Sequence, residues 1–190
     1  MLLLIEQIEG KSQQIKNLLE SLDAHFAIWS PHKQPDPPSC DYDHIIISGG
    51  GLHVEEIDNP LSFLYREREF LECSTNDCAI LGICLGAEIL AKIADHQISI
   101  SHRQQGPQKV TLTRNGKRDL LFANIHDSMF YFNHQRRIIP TSDNLSVLAR
   151  DESHNLAAFK LKNKKTWGVQ FHPENSPQGI LLLRNFLAIS

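Results

Sequence analysis

The sequence lacks several features that would decide its class at once. It holds four cysteines in 190 residues (Cys40, Cys73, Cys78 and Cys84) and no CxxC pair. That excludes a disulfide scaffold, argues against a zinc or thioredoxin-type motif, and fits a reducing, cytoplasmic setting. No apolar run approaches the ~18 residues of a membrane span. The leading MLLLIEQIEG has no basic stretch and its apolar run soon ends, which does not fit a signal peptide. A basic surplus is missing too: 19 Lys and Arg stand against 22 Asp and Glu, a formal net charge of -3. A nucleic-acid binder would show the opposite balance. Neither a nucleic-acid nor a membrane partner is therefore expected. The basic spots at Lys162, Lys164 and Lys165, and at Arg136 and Arg137, read as solvated turns or faces. There is no internal repeat, low-complexity tract or interdomain linker. Residues 1–190 are expected to form one domain, long enough to bury a core without staples.

What is present is an alternation of apolar runs with two different periods. Met1–Ile5 reads as a buried strand. Ser12 to Leu22 carries Ile15, Leu18, Leu19 and Leu22 at helical spacing. His25–Trp29 reads as the next strand, and the proline-rich stretch from Pro31 to Pro38 as connection, since proline cannot donate to a sheet. His44–Ser48 has three isoleucines in a row, which suits a strand covered on both faces. Leu61 to Leu71 reads as a helix, Ala79–Ile83 as a strand, and Leu85 to Ala94 as a helix following without a break. Strand and helix thus alternate as in a doubly wound α/β sheet. The region from His96 to Thr113 reads as strand-rich. So do Phe130–Phe132, Ser146–Ala149, Ala157–Leu161 and Trp167–Phe171, with hairpin turns expected at Arg114–Gly116 and Lys162–Lys165. Gly179 to Leu187 closes as a helix.

Three short stretches carry chemistry. Gly82-Ile83-Cys84-Leu85-Gly86 lies where a strand gives way to a helix. A nucleophile on so sharp a turn needs flanking glycines, because side chains there would collide with neighbouring elements. Its sulfur would project above the carboxyl end of the sheet, beside a helix N-terminus that favours a thiolate. Alone, the pentapeptide reads equally as a buried, inert cysteine. The second stretch is Gly168-Val169-Gln170-Phe171-His172-Pro173-Glu174. Residues two apart in an extended segment point the same way, so Glu174 can accept from one nitrogen of His172 and leave the other to act as base on a thiol. The third is Ser48-Gly49-Gly50-Gly51, also after an apolar strand. No G-K-[ST] follows, so it is not a phosphate-binding P-loop. The N–H groups of Gly50 and Leu85 are candidates for an oxyanion hole.

Together, the strand-ending glycines, the GxCxG elbow and the C-terminal HPE resemble the class I, triad-type glutamine amidotransferases. Within that family the likeness is greatest to the branch that includes the glutamine-hydrolysing part of GMP synthase and its stand-alone relatives. SGG, GICLG and GVQFHPE stand here as Ser48–Gly50, Gly82–Gly86 and Gly168–Glu174, with a histidine in Phe132-Asn133-His134-Gln135. The resemblance implies an α/β, flavodoxin-like three-layer sandwich with a mostly parallel central sheet and a small antiparallel β-ribbon. It implies a catalytic triad of Cys84, His172 and Glu174, hydrolysis of the glutamine amide through a cysteinyl thioester, and ammonia passed to a separate synthase subunit. Neither a metal nor an organic cofactor is expected.

The departures from the family bear on the substrate. Glu88 stands four residues after the nucleophile, where the family has Gln and holds the amino-acid end of glutamine. Gln135, Arg136 and Arg137 stand where the family has an acidic residue, Gly51 where Pro is frequent, and Gln105-Gly106 where Tyr-Gly is usual. These changes leave open a stand-alone hydrolase of γ-glutamyl compounds with the same triad. A non-catalytic regulatory homologue is the third reading. No SGGxDS motif for an ATP-dependent synthase follows the glycines.

Overall fold

The computed structural model describes every residue except 11, 40, 52–53, 75–77, 127 and 190, so Cys40 lies outside the described residues. The first strand, β1 (Leu2–Ile5), shows how the layers arise. All four of its residues are buried, and successive side chains point to opposite faces. Leu2 and Leu4 pack with Ile15 and Leu19 of α1 (Gln13–Ser21) and with Leu182, Leu183 and Phe186 of α4 (Gly179–Leu187). Leu3 and Ile5 join the opposite core, with Leu64, Phe70 and Leu71 of α2 (Phe63–Ser74) and Ile89 and Leu90 of α3 (Leu85–Ile93). Each such side chain contributes about 1.5–3 kcal/mol over leaving it in water. Helices on both faces leave no solvated side for polar alternation, so these strands read as continuous apolar runs.

The remaining strands are β2 (Phe26–Trp29), β3 (His44–Ile47), β4 (Ala79–Ile83), β5 (Gln97–Leu112), β6 (Ser128–Ile139), β7 (Leu145–Arg150), β8 (Leu156–Leu161) and β9 (Thr166–Val169). They form one nine-stranded sheet in the order β2-β1-β3-β4-β9-β8-β7-β5-β6. The pairings from β2 through β9 are parallel. Those from β9 through β8, β7 and β5 to β6 are antiparallel. The sheet is therefore mixed, which corrects the expectation of a mostly parallel one. The reason lies in the connections. Among the described residues no α-helix lies between β5 and β9, and without a crossover helix successive strands pair antiparallel.

The ribbon is also larger than expected. β5 and β6 pair from Gln97↔Ile139 to Val110↔Ser128, with an irregularity between Ile100 and Gln104. The Lys162–Lys165 turn is a hairpin, pairing β8 with β9. Arg114–Gly116 is not: β5 passes into two 3-10 turns, Gly116–Arg118 and Leu120–Phe122, which drop Leu121 and Phe122 into the core before β6 begins. Among the described residues, no helix is long and apolar enough to cross a membrane.

Candidate active site

Three neighbouring parallel strands place the three stretches together. Ile47 at the end of β3 pairs with Gly82 of β4, and Ile83 of β4 pairs with Val169 of β9. The segments that leave these strands therefore emerge side by side at one edge: Ser48–Gly51, Cys84, and Gln170–Glu174. The Cys84 N–H donates to the Val169 carbonyl at 2.8 Å, tying the elbow to β9 directly.

Cys84 has φ 51 and ψ -105, a conformation that L residues rarely adopt, and it is the last residue before α3. Close packing on both sides holds it there. A Cβ on Gly82 would lie 2.4 Å from the Gly86 carbonyl oxygen, and one on Gly86 would lie 2.5 Å from the Ile47 carbonyl oxygen. The elbow glycines are thus fixed by helix–strand approach, as the motif suggested.

His172 follows β9 in extended conformation and is locked to the antiparallel half. Its N–H donates to the Tyr131 carbonyl at 2.7 Å, and the Ser176 hydroxyl donates to its carbonyl at 2.7 Å. Its Nδ1 hydrogen-bonds Glu174 Oε1 at 2.7 Å. The partnership is as expected from sequence, but its geometry differs: Pro173–Asn175 is a 3-10 turn, not an extended segment, and the turn swings Glu174 back under the ring. Nε2 finds no nitrogen or oxygen partner among the described residues. The ring stands beside Cys84: a Cβ built on Gly49 would lie 2.9 Å from His172 Cε1 and 3.4 Å from Cys84 Cβ. Burial opposes charge on the imidazole, but Cys84 and Glu174 more than offset it and push its pKa up to about 10. The site therefore favours an imidazolium between two acidic partners.

The cavity over Cys84 has a volume of about 470 Å³. Its walls include Gly50 and Glu88 from the parallel half, and Arg103, Asn133, His134 and Arg136 from β5 and β6. The Cys84 thiol lies 4.0 Å from the Asn133 carbonyl oxygen. Leu85, the first residue of α3, carries one of the N–H groups that a helix leaves without an internal partner. Glu88, one turn further on, is 3% exposed, and Gln170 Nε2 donates to its Oε1 at 3.0 Å. Burial pushes the Glu88 carboxyl up to about 7, against the pull of Gln170 and of Arg136. His134 donates from Nδ1 to the Arg136 carbonyl, and burial holds its pKa below the ordinary value.

All residues singled out from the sequence (Cys84, His172, Glu174, Gly50, Leu85 and Glu88) thus meet at this edge of the sheet. Sequence reasoning missed Gln170 as the partner of Glu88 and Arg103 as a wall of the cavity. Gln170 could have been found, since it lies two residues before His172 in the same motif. Nothing local marks Arg103; it reaches the cavity only through the pairing of β5 with β6, where its guanidinium donates to Asn133 Oδ1 at 3.1 Å.

An elbow cysteine, a carboxylate-held histidine and a helix N-terminus at the carboxyl end of a parallel sheet form an arrangement for acyl transfer. Residues 3–189 match the family described as Glutamine amidotransferase class-I, and the chain belongs to that family. Among curated relatives it is similar to a subunit of the glutamine-hydrolyzing GMP synthase of Picrophilus torridus, 33% identical over 152 residues that cover 78% of this chain and 77% of the relative. It is also 33% identical over 149 residues to the glutamine-hydrolyzing GMP synthase of Cytophaga hutchinsonii, covering 75% of this chain but only 27% of that longer protein. The crystal structure of a candidate GMP synthase subunit from Thermoplasma acidophilum shares the fold, with a TM-score of 0.81 at 21% identity over 98% of this chain and 91% of the other.

Proposed function

We propose that the chain is a cysteine-dependent amidohydrolase that releases ammonia from the side-chain amide of glutamine. Cys84 Sγ attacks the amide carbonyl carbon, forming an S–C bond and moving the carbonyl π pair onto oxygen. The N–H groups of Gly50 and Leu85 face that oxyanion, each donor being worth a few kcal/mol in such a site. The His172 imidazolium gives its proton to the amide nitrogen, the C–N bond breaks, and ammonia leaves behind a glutamyl thioester. Neutral His172 then takes a proton from water, the hydroxide adds to the thioester carbonyl, and collapse returns glutamate and the thiolate. Glu174 holds the ring and stabilises its charge throughout. No metal or organic cofactor enters these steps. Ammonia would pass to a separate synthase subunit, in keeping with the GMP synthase relatives.

The observation that carries this reading is the convergence of Cys84, the His172–Glu174 pair and Gly50 on one cavity, with α3 beginning at Leu85 directly after the cysteine. The test is a covalent one. Incubation with glutamine, acid quench and peptide mass spectrometry should find a glutamyl adduct on Cys84. An adduct on another residue overturns the assignment of Cys84 as nucleophile, and none with any γ-glutamyl amide overturns the reading in favour of a non-catalytic homologue.

The wall opposite the triad supports a second reading. Glu88 attracts an ammonium and, when ionised, repels a carboxylate. Arg103 and Arg136 do the reverse. A wall of this charge pattern suits a γ-glutamyl compound carrying an additional anionic group, turned over by the chain alone. Free turnover of such a conjugate favours this reading; ammonia release that needs an added synthase favours the first.

A further inference from the structure

We infer that Gln7 and Glu67 form a positioning clamp that holds the Gly50 N–H in place for the reaction at Cys84. The inference rests on the oxyanion role proposed above for Gly50. Neither residue lines the cavity, so both would act through the backbone of the glycine loop.

Glu67 lies on α2 and is 0% exposed. Its carboxyl oxygens accept from Gln7 Nε2 at 2.7 and 2.8 Å. Gln7, itself 1% exposed, follows β1. Its backbone N–H donates to Ser48 Oγ at 3.0 Å, and Ser48 Oγ donates to the Gly49 carbonyl at 3.3 Å. A Cβ on Gly50 would lie 3.0 Å from Gln7 Cβ and 2.9 Å from Leu85 Cδ2. Gly50 is thus wedged between Gln7, which Glu67 anchors, and the residue that carries the second donor.

The chemistry argues for a purpose. Three consecutive glycines have more backbone freedom than any other triplet, whereas an oxyanion donor works only if it is fixed in advance. The loop has no side chains of its own to fix it. Burying a carboxyl against one neutral amide is costly, and an aliphatic residue would pack the space at less cost. Among the described residues, Gln7 is the one polar group that bears on Glu67, and no charged group faces it. What Glu67 contributes is therefore the anchoring of Gln7. Burial pushes its carboxyl up to about 8, against the pull of the Gln7 amide, so the carboxyl is largely uncharged at neutral pH. Ionisation would place an unpaired charge behind the loop.

The test compares Glu67→Ala and Glu67→Gln with the unaltered chain in two reactions. One is turnover of whichever of glutamine and a γ-glutamyl anilide reacts faster. The other is alkylation of Cys84 by iodoacetamide, in which sulfur displaces iodide at a saturated carbon and no oxyanion forms. Glu67→Ala should lower kcat by about tenfold or more while KM and the alkylation rate stay within about twofold. Glu67→Gln, which can still pair with the Gln7 amide, should keep most of kcat at pH 7. It should also lack the fall in kcat that the unaltered chain shows as pH rises through about 8. An unchanged kcat in Glu67→Ala overturns the clamp. So does a loss matched by equal loss of alkylation, or a decline centred near pH 8 that persists in Glu67→Gln, as distinct from the loss of the His172 imidazolium at about 10 that both proteins share. An unaltered chain that alkylates at Cys84 yet turns over no amide overturns the functional reading itself, and the clamp's role with it.

Discussion

In the parallel half of the sheet, every residue of β1 and β4 is buried, and β4 runs directly into the elbow that carries Cys84. In the antiparallel half, β6 alternates: Phe130, Phe132 and His134 are buried while Met129, Asn133 and Gln135 are exposed. The first half is sealed between helices and can hold strained backbone, which is where Cys84 and the glycine loop sit. The β5–β6 ribbon alternates between covered and open positions, and it supplies the cavity wall made by Arg103, Asn133, His134 and Arg136. His172 joins the two, following a parallel strand while its backbone is bonded to Tyr131 of β6. Cys84, the glycine loop and Glu88 thus line the cavity from one half and Arg103, Asn133 and Arg136 from the other, and each variant below probes one side of that division.

The largest effect should come from the parallel half. Cys84→Ala should lower amide turnover by at least about 10³-fold, whereas Cys73→Ala, at an exposed position, should leave it intact. Ammonia release measured on both settles the point; retained activity in Cys84→Ala means that the nucleophile lies elsewhere.

Next comes the residue that the junction holds. Glu174→Ala should cost at least about 10²-fold in kcat, and less than loss of the nucleophile, since an orienting carboxylate acts only through the histidine. It should also bring the His172 pKa down from about 10, because one of the two groups that raise it is gone. NMR titration of the imidazole reads the second effect independently of turnover. An unmoved pKa would mean that Cys84 alone sets the charge of His172.

A third variant asks whether the antiparallel half merely walls the cavity or also holds His172. Phe130 of β6 stacks on Phe171 with ring centroids 4.1 Å apart, beside His172 in sequence. Phe130→Ala should destabilise the fold by about 3–5 kcal/mol in urea unfolding, as for a buried aromatic. Turnover by the fraction still folded should fall as well. Full activity in that fraction would show that the Tyr131 and Ser176 bonds suffice.

The same division explains what could be read in advance. The parallel half was legible because burial on both faces leaves an uninterrupted apolar signature, as in Ile45-Ile46-Ile47. Its elbow was legible too, because a strained turn and close helix packing demand glycine at fixed positions. The direction of the later strands was not legible, since alternation marks a half-covered strand without saying how its neighbour runs. Arg114-Asn115-Gly116 carries turn chemistry, yet the chain there needed room to bury Leu121 and Phe122, a tertiary demand that no local pattern states. The Glu174 contact was foreseen for the wrong local reason, since proline at the first position of a 3-10 turn replaced extended backbone. Gln7 and Glu67 are distant in sequence and belong to no motif, so only the packing of α2 against the end of β1 brings them together.

The smallest expected effect concerns Glu88, where the halves meet across the cavity through Gln170 and Arg136. Its carboxyl has an ordinary value of 4.5 and is pushed up to about 7 in the fold, chiefly by burial. Between those two values the folded chain holds a proton that the unfolded chain has released. Stability from this group is therefore greatest below 4.5, declines as pH rises to about 7, and is flat beyond. Glu67 adds a decline of the same sign that runs on to about 8. Glu6, whose carboxyl is held below its ordinary value by Ser12 and Lys16 despite burial, acts only at more acid pH and with opposite sign. Glu88→Gln keeps an acceptor for Gln170 but cannot titrate. It should gain stability over the unaltered chain at pH 7 and lose that advantage at pH 4, by on the order of 1 kcal/mol per pH unit within the window. In a chain of this size each kcal/mol amounts to about 2–4 °C in Tm. Thermal melts of both proteins at pH 4, 5.5, 7 and 8.5 read the difference. Equal differences at pH 4 and pH 7 would mean that the carboxyl stays in one protonation state across that range. The charge that Glu88 presents to a substrate would then be fixed, and the preference between glutamine and a larger γ-glutamyl compound would rest on Arg103 and Arg136 alone.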